Sequence, residues 1–413
     1  MRNRRDMKIL VLNCGSSTLK FQLLEVDHKT SGQDKFKRLS HGVIDRIGDN
    51  KGTVDLYIEN GSYMRDAIKS ADHGQATRIV LEWLDSTDLL KTEGLGAIGH
   101  RLVHGGQQFV NPTLIDDKVI RDIEAISSLA PLHNIPALNA IRSAQEVLNR
   151  NVPMVAVFDT AFHHNLPEYA SRYAISKELS DKHHIRRYGF HGIAHRYMTE
   201  RYSAITSMPL EIIKIITLQL GNGCSASAVK GCGSVDTSMG FTPLEGLIMG
   251  TRCGDIDPSI AGFLARCEGN DIGEIENWLN TKSGLLGVSA RSSDMRELLK
   301  AEHQGDKRAT LAVEMFCYRV RKYIGAYLAA LAGADAIIFG GGIGENSPDI
   351  RTRICSGMDW CGITLDSVRN TNAVGTEGII STDDSKIKIY VMPVDEAIII
   401  AQDTIRCLER YPI

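Results

Sequence analysis

Apolar positions along the chain fall in short runs. Strand-like runs occupy 8–13, 20–26, 96–99, 153–158, 213–220, 335–340 and 387–393. Helical patterns lie between many of them. The clearest is 309–332, where Phe316, Val320, Tyr323, Tyr327 and Leu331 recur at three- and four-residue spacing and predict an amphipathic helix. The "GADAIIFGGG" that follows reads as a helix stop and then a buried strand. Strands interleaved with helices predict an α/β fold. The polar stretch 373–386 predicts a surface turn.

One pattern occurs twice. "ILVLNCGSSTLKF" (9–21) is an apolar strand, a small-residue turn and a second apolar-leaning stretch. "ITLQLGNGCSASA" (216–228) has the same form, and placing Gly15 on Gly221 sets Asn13 opposite Gln219. A lone strand-turn-strand is an ordinary hairpin. A repeated one raises the question of two halves presenting similar turns to one ligand.

Length changes the picture next. A chain of 413 residues exceeds one ordinary core, which predicts two domains. No low-complexity linker separates them, so two domains sharing a cleft are expected. The first is expected over 7–158 and the second over 159–396, with the helix 397–413 packing back onto the first. The net charge of -3 offers no global attraction for nucleic acid or an anionic membrane. Nine scattered cysteines without a C-x-x-C pair fit reduced thiols in a cytoplasm. The start "MRNRRDMKIL" lacks the apolar core of a signal peptide, and no apolar run approaches membrane-spanning length.

Five segments could carry chemistry. In "GHRLVHGG" (99–106), Arg101 could clamp a carboxylate or phosphate in a fork, or be a plain surface arginine. In "MGTRCGDIDPS" (249–259), Arg252 lies among glycines that permit close approach to a ligand. Asp255 and Asp257 there could orient Arg252, and Asp257-Pro258 could begin a helix. In "YGFHGIAHRY" (188–197), His191 and His195 have the spacing of metal ligands on a helix. No third ligand is evident, and a histidine polarising a developing negative charge is the better reading. In "VAVFDTAFHH" (155–164), Asp159 ends a strand, where it could face a cleft or cap the next helix. In "FGGGIGENSPDIR" (339–351), glycines precede a Ser347-Pro348 helix start suited to a nucleotide. Neither the Walker pattern nor G-x-G-x-x-G is present.

Together these segments resemble the acetokinase family, of the acetate and sugar kinase/Hsp70/actin superfamily. The resemblance rests on "LNCGSSTLKF", "GHRLVHGG", "APLHN", "FDTAFH", "YGFHGIAHRY", "LGNGCS", "MGTRCGDIDP" and "GGGIGEN", in this order along essentially the whole chain. It implies two ribonuclease-H-like cores, each donating a phosphate hairpin. It implies reversible transfer of the ATP γ-phosphoryl group to acetate, with Mg²⁺ (or Mn²⁺) as cofactor, in a cytoplasmic homodimer. Asn13 and Glu396 would hold the metal. Lys20 and the run Gln219, Leu220, Gly221, Asn222 and Gly223 would meet the ATP phosphates. Asp294, Met295 and Arg296, with Gly342, Ile343, Gly344, Glu345 and Asn346, would line the adenosine site. Arg101 would bind the acetate carboxylate; Val103, Leu132, Phe190 and Pro243 would surround its methyl group. His191 and Arg252 would stabilise the transition state.

The resemblance implies an acid/base role for Asp159. A carboxylate of pKa about 4 is already ionised near neutral pH, so orienting an arginine or a metal-bound water suits Asp159 better. Three departures stand out: Gln219 replaces the family's usual histidine, Asp395-Glu396-Ala397 keeps one glutamate of an Asn-Glu-Glu pattern, and "APLHNIPAL" differs after His133. Propionate or butyrate kinase is the alternative within the family. A non-catalytic actin- or Hsp70-like nucleotide switch is the alternative outside it.

Overall fold

The computed structural model describes residues 7–27, 35–59, 61–69, 72–87, 89–90, 94–127 and 130–411. The chain divides into two compact units. Unit 1 comprises Met1–His164 and Asp395–Ile413, and unit 2 comprises Asn165–Val394. The division thus falls after His164, not between 158 and 159. Strand runs straight into the 3₁₀ turn Asp159–His163, and the Asp159 carboxylate binds within unit 1, which keeps that turn with the first unit.

Unit 1 is built on an eight-stranded sheet of order β5-β4-β3-β2-β1-β6-β8-β7. Its strands are β1 (Lys8–Cys14), β2 (Thr18–Val26), β3 (Phe36–Asp45), β4 (Gly52–Ile58), β5 (Tyr63–Ile68), β6 (Ala97–Leu102), β7 (Thr113–Leu114) and β8 (Met154–Phe158). Beside β1, the hairpin strand β2 is antiparallel and β6 is parallel. Strand alternation decides what each face carries. Leu10 and Leu12 enter a core with Leu81, Leu84 and Ile141 from the helices His73–Ser86 and Pro131–Val147. The opposite face carries Ile9, Val11 and Asn13 on β1, with Gly99 and Arg101 on β6. The C-terminal helix Glu396–Arg410 packs against β6, β1 and β8. Ile400 and Thr404 of this helix lie directly over Gly99. That places its first residue, Glu396, beside the end of the strands.

Unit 2 holds a six-stranded sheet of order β11-β10-β9-β12-β14-β13. Its strands are β9 (Lys214–Leu220), β10 (Cys224–Lys230), β11 (Gly233–Thr237), β12 (Ala336–Gly340), β13 (Gly378–Ile379) and β14 (Lys388–Val391). Here β9 pairs antiparallel with β10 and parallel with β12, as β1 does with β2 and β6. The faint sequence repeat is therefore a repeat of topology, one mixed sheet in each unit with the same pairing around its hairpin. The helix expected at 309–332 spans Lys307–Leu331 and buries Phe316, Val320, Tyr327 and Leu331. The stretch 373–386 is not all surface turn: Gly378–Ile379 forms β13, and Ile380 is fully buried.

Candidate active site

In unit 1 the strand ends bring four predicted residues together. Asn13 and Arg101 are register partners on β1 and β6. Arg101 forks onto Asp159, Nε to Oδ1 at 3.0 Å and Nη2 to Oδ2 at 2.6 Å. Its Nη1 donates to Asn13 Oδ1 at 2.9 Å and lies 3.4 Å from Glu396 Oε2. Asn13 Nδ2 donates to the same Glu396 oxygen at 2.7 Å. Burial works against the Arg101 charge, but Asp159 and Glu396 more than offset it, and its pKa stands above the ordinary arginine value. Arg101 is no surface arginine, and Asp159 caps no helix: the turn it opens has no side-chain cap.

The loop after β6 is held by short polar tethers. Asn134 on the helix Pro131–Val147 accepts from His104 N at 3.2 Å and donates to His104 O at 2.9 Å. Thr160 Oγ1 accepts from Gly105 N at 3.0 Å. These tethers fix Val103, which is buried. Leu132 lies in the first turn of the same helix, and its side chain is outside the described residues. Lys20 is exposed on β2, opposite Asn13. His73, which belongs to no motif, donates to the Gly15 carbonyl of the first hairpin turn at 2.9 Å.

In unit 2, His191 and Arg252 converge on the second hairpin turn. A side-chain carbon at Gly223 would lie 3.4 Å from His191 Nε2 and 3.8 Å from Arg252 Nη1. His191 precedes the helix Gly192–Thr206 in a left-handed conformation, φ 55°, uncommon for a residue with a side chain. The Arg252 loop closes onto the hairpin through Gly250, whose N–H donates to Asn222 O at 2.9 Å. A side chain at Gly250 would collide with Asn222. Arg252 meets the Pro243 carbonyl at 3.3 Å and no carboxylate among the described residues. Burial lowers its pKa, only partly opposed by the nearby Cys224. Asp255 and Asp257 do not orient it. Asp255 accepts from Gly246 N and Tyr323 OH, and Asp257 from Ser259 N at the start of the helix Ser259–Glu268. Phe190 is buried, and Gln219 on β9 has a buried Oε1 with no hydrogen-bond partner among the described residues.

His191 and His195 are not a metal pair. Both bind one hydroxyl, Ser225 Oγ, at 2.9 and 2.7 Å. Among the described residues no group of three histidine, cysteine, aspartate or glutamate side chains could hold a metal ion.

A cavity of about 870 Å³ opens beyond the same hairpin. Gly221, Asn222, Gly342, Ile343 and Asn346 line it, with Asp294, Met295 and Arg296 opposite. Asp294 caps the helix Met295–His303, and "GGIGEN" forms a helical turn, Gly341–Asn346, rather than an open loop. Gly344 is buried away from the cavity, and the Glu345 carboxylate braces Gly341 N and Val394 N. Leu220 is buried in β9. Leu299, Lys300 and His303, which no motif in the sequence singles out, also line the cavity. Their helical spacing from Met295 and Arg296 is the signal that would have found them.

The Acetokinase family profile matches residues 8–402. The chain belongs to this family. Acetate kinase of Chloroherpeton thalassium is 46% identical over 98% of this chain and 100% of its own length. Among solved structures, acetate kinase of Porphyromonas gingivalis superposes with a TM-score of 0.88 at 41% identity, covering 97% of this chain and all of that one. A propionate kinase from Francisella tularensis superposes at 0.89 with 39% identity, over 97% and 99% of the two chains. Structures described as an acetate kinase and as a propionate kinase thus share this fold.

Proposed function

We propose that the chain transfers the γ-phosphoryl group of ATP to acetate, reversibly, by direct in-line attack of a carboxylate oxygen. The observation that carries this reading is Arg252: a partly buried guanidinium that faces the phosphate hairpin beside His191 without a carboxylate partner. A desolvated charge is costly unless an anion completes it. A nucleotide phosphate is such an anion. His191 Nε2 and Arg252 hold the transferring oxygens as charge develops on them. The cavity lined by Met295, Ile343 and Asn346 receives the nucleoside. Arg101 presents its remaining N–H groups to the acetate carboxylate. Asp159 fixes the plane of Arg101 and takes no proton, because acetate has none to give at neutral pH.

The family implies a magnesium ion. Asn13 and Glu396 offer an amide oxygen and one carboxylate, hard donors too few for a resident cage. They fit an ion that keeps its waters and arrives on nucleotide phosphates. When bound there it neutralises phosphoryl charge.

The chain acts as a cytoplasmic homodimer in this reading. Its cysteines are free, as in a reducing compartment, and no described helix is long and apolar enough to cross a membrane. The helix Ser259–Glu268 has no buried residue and exposes Ile260 and Phe263, with exposed Ile272 nearby in sequence. Such an uncovered apolar face suits a second copy.

Propionate is the second reading, favoured by the Francisella likeness. One methylene discriminates by only about 1–3 kcal/mol. A coupled assay of ADP formation with acetate, propionate and butyrate tests both readings. Acetate giving the highest kcat/KM supports the first, and propionate exceeding it supports the second. No turnover with any of the three sinks both.

A further inference from the structure

Behind His191 a chain of hydrogen bonds runs into the core of unit 2. His191 Nδ1 meets Ser225 Oγ at 2.9 Å, Ser225 Oγ meets His195 Nε2 at 2.7 Å, and His195 Nδ1 meets Thr217 Oγ1 at 2.7 Å. Ser225, His195 and Thr217 are all fully buried. Period-two alternation on β9 turns Thr217 toward the helix Gly192–Thr206, where His195 lies one turn after His191. β10 places Ser225 within reach of both rings.

Such a chain can be polarised in two directions, and Thr217 decides between them. Among the described residues its hydroxyl has one hydrogen-bonding partner, the ring nitrogen of His195. If that nitrogen carried the hydrogen, the Thr217 hydroxyl hydrogen would be buried with nothing to accept it, which costs its desolvation in full. Thr217 therefore donates to His195 Nδ1. A neutral imidazole then carries its hydrogen on Nε2 and donates to Ser225. The Ser225 hydroxyl is left to donate to His191 Nδ1. The hydrogen of His191 must then sit on Nε2, the nitrogen that faces Gly223.

We propose that Thr217, His195 and Ser225 are positioning residues that lock His191 in its Nε2–H tautomer, so that it presents a hydrogen-bond donor to the phosphoryl group before substrate arrives. The consequence for catalysis rests on the reading of His191 as a ligand of the transferring group. The lock itself does not. In the reversed polarity a neutral His191 would aim a lone pair at an anion, so the direction of the chain is what makes the ring useful. A donor already oriented needs no reorganisation when charge develops.

The test is nitrogen-15 NMR of the histidine rings in the substrate-free, full-length protein, with signals assigned through His191→Gln and His195→Gln. His191 is expected as the Nε2–H form in the wild type. Thr217→Val, nearly isosteric, should mix the His191 tautomers, and Thr217→Ser should restore the wild-type pattern. Ser225→Ala should mix them too and lower kcat by about 10- to 100-fold at little changed KM, the scale on which partners that orient an imidazole ordinarily act. Circular dichroism checks that each variant folds, and Thr217→Val carries the test if Ser225→Ala does not. A wild-type His191 in the Nδ1–H form, or a tautomer indifferent to both Thr217→Val and Ser225→Ala, overturns the lock. A locked tautomer in the wild type with an unchanged kcat in Ser225→Ala upholds the lock and overturns the role given to His191.

Discussion

Arg101 on β6 and Asp159 at the end of β8 meet in a two-point fork, with Nε–Oδ1 at 3.0 Å and Nη2–Oδ2 at 2.6 Å. Both carboxylate oxygens are occupied by one guanidinium. A group so engaged is poorly placed to accept a proton from substrate and well placed to hold an arginine in one plane. Arg101 in turn keeps Nη1 on Asn13, so its orientation is set from two sides.

Asp159→Asn should therefore lose rate at every pH. Asparagine keeps an acceptor for Arg101 but removes the charge and half of the fork. We expect kcat to fall by about 10²-fold, the scale of a displacement near 1 Å at a reacting group. The kcat–pH profile of wild type and variant should run parallel across neutral pH. A variant whose sole defect is a displaced pKa would make Asp159 a general base.

Arg252 gives the opposite relation between stability and function. Its partners are a carbonyl at 3.3 Å and the sulfur of Met249 at 3.7 Å, so the free protein carries a partly desolvated cation without a counter-ion. Arg252→Met should leave the Tm of the nucleotide-free protein unchanged or higher. It should lower kcat by about 10³- to 10⁵-fold, as for other arginines at a transferring phosphoryl group. Calorimetry and turnover on one preparation check both. A Tm several degrees lower would mean that Arg252 is a structural brace.

Much of this was legible in the sequence because the strands that carry chemistry are buried. Apolar runs announce β1, β6, β8, β9, β12 and β14, and Asn13, Arg101, Asp159, Gln219 and Gly342 lie at or just beyond the ends of these strands, whereas His191, Arg252 and Asp294 lie on loops and helix starts away from them. The strands β3, β4 and β5 have no such apolar run. They form the outer side of the first sheet, and the burial of β5 shows no clean alternation. The tethers were unreadable for another reason. Asn134, His73 and Ser225 act through partners at least 30 residues away, and no local spacing encodes those pairs. Glu345 misleads differently: its charge looks like ligand chemistry, but its carboxylate accepts from the backbone N–H of Gly341, four residues away, and of Val394, across the fold.

Arg351, unlike Arg101 and Arg252, is fully buried, and it braces one wall of the cavity. It donates to the carbonyls of Gly344, Glu345, Asn370 and Ala373 and to Asn370 Oδ1, at 2.6 to 3.1 Å. Burial pushes its pKa down to about 10. It pins the helical turn whose Gly342, Ile343 and Asn346 line the cavity. A lysine has three donors on one atom and cannot span these acceptors. Arg351→Lys should cost about 1–3 kcal/mol of stability. It should raise KM for ATP more than it lowers kcat, with KM for acetate unchanged. An equal rise in both KM values would argue against a role confined to the nucleotide.

Gln219 stands on β9 where Asn13 stands on β1, and it is the register partner of Gly340 as Asn13 is of Arg101. Its buried Oε1 has no hydrogen-bond partner among the described residues. A histidine here could carry charge, whereas glutamine stays neutral. Gln219→His should keep kcat within about tenfold and add a pH dependence near the ordinary histidine pKa of about 6.5. An inactive wild type that Gln219→His restores would mean that glutamine had disabled the site.

His100 lies on β6 beside Arg101 but points into the opposite layer, fully buried, with no hydrogen-bond partner for either ring nitrogen among the described residues. Burial pushes its pKa down to about 3. The unfolded chain binds a proton at His100 near pH 6.5, about where a free histidine titrates. Between these values the unfolded state holds a proton that the folded state does not. Stability then falls as pH falls, by about 1.4 kcal/mol per pH unit for this one group. His100→Leu removes the titration and two unpaired polar atoms from the core. The variant should match or exceed wild-type stability at neutral pH, and its advantage should widen steadily as pH drops below about 6.5. Differences in Tm by calorimetry over a series of mildly acidic buffers measure this directly. A difference that stays constant with pH would mean that His100 is protonated in the folded protein and has a partner after all.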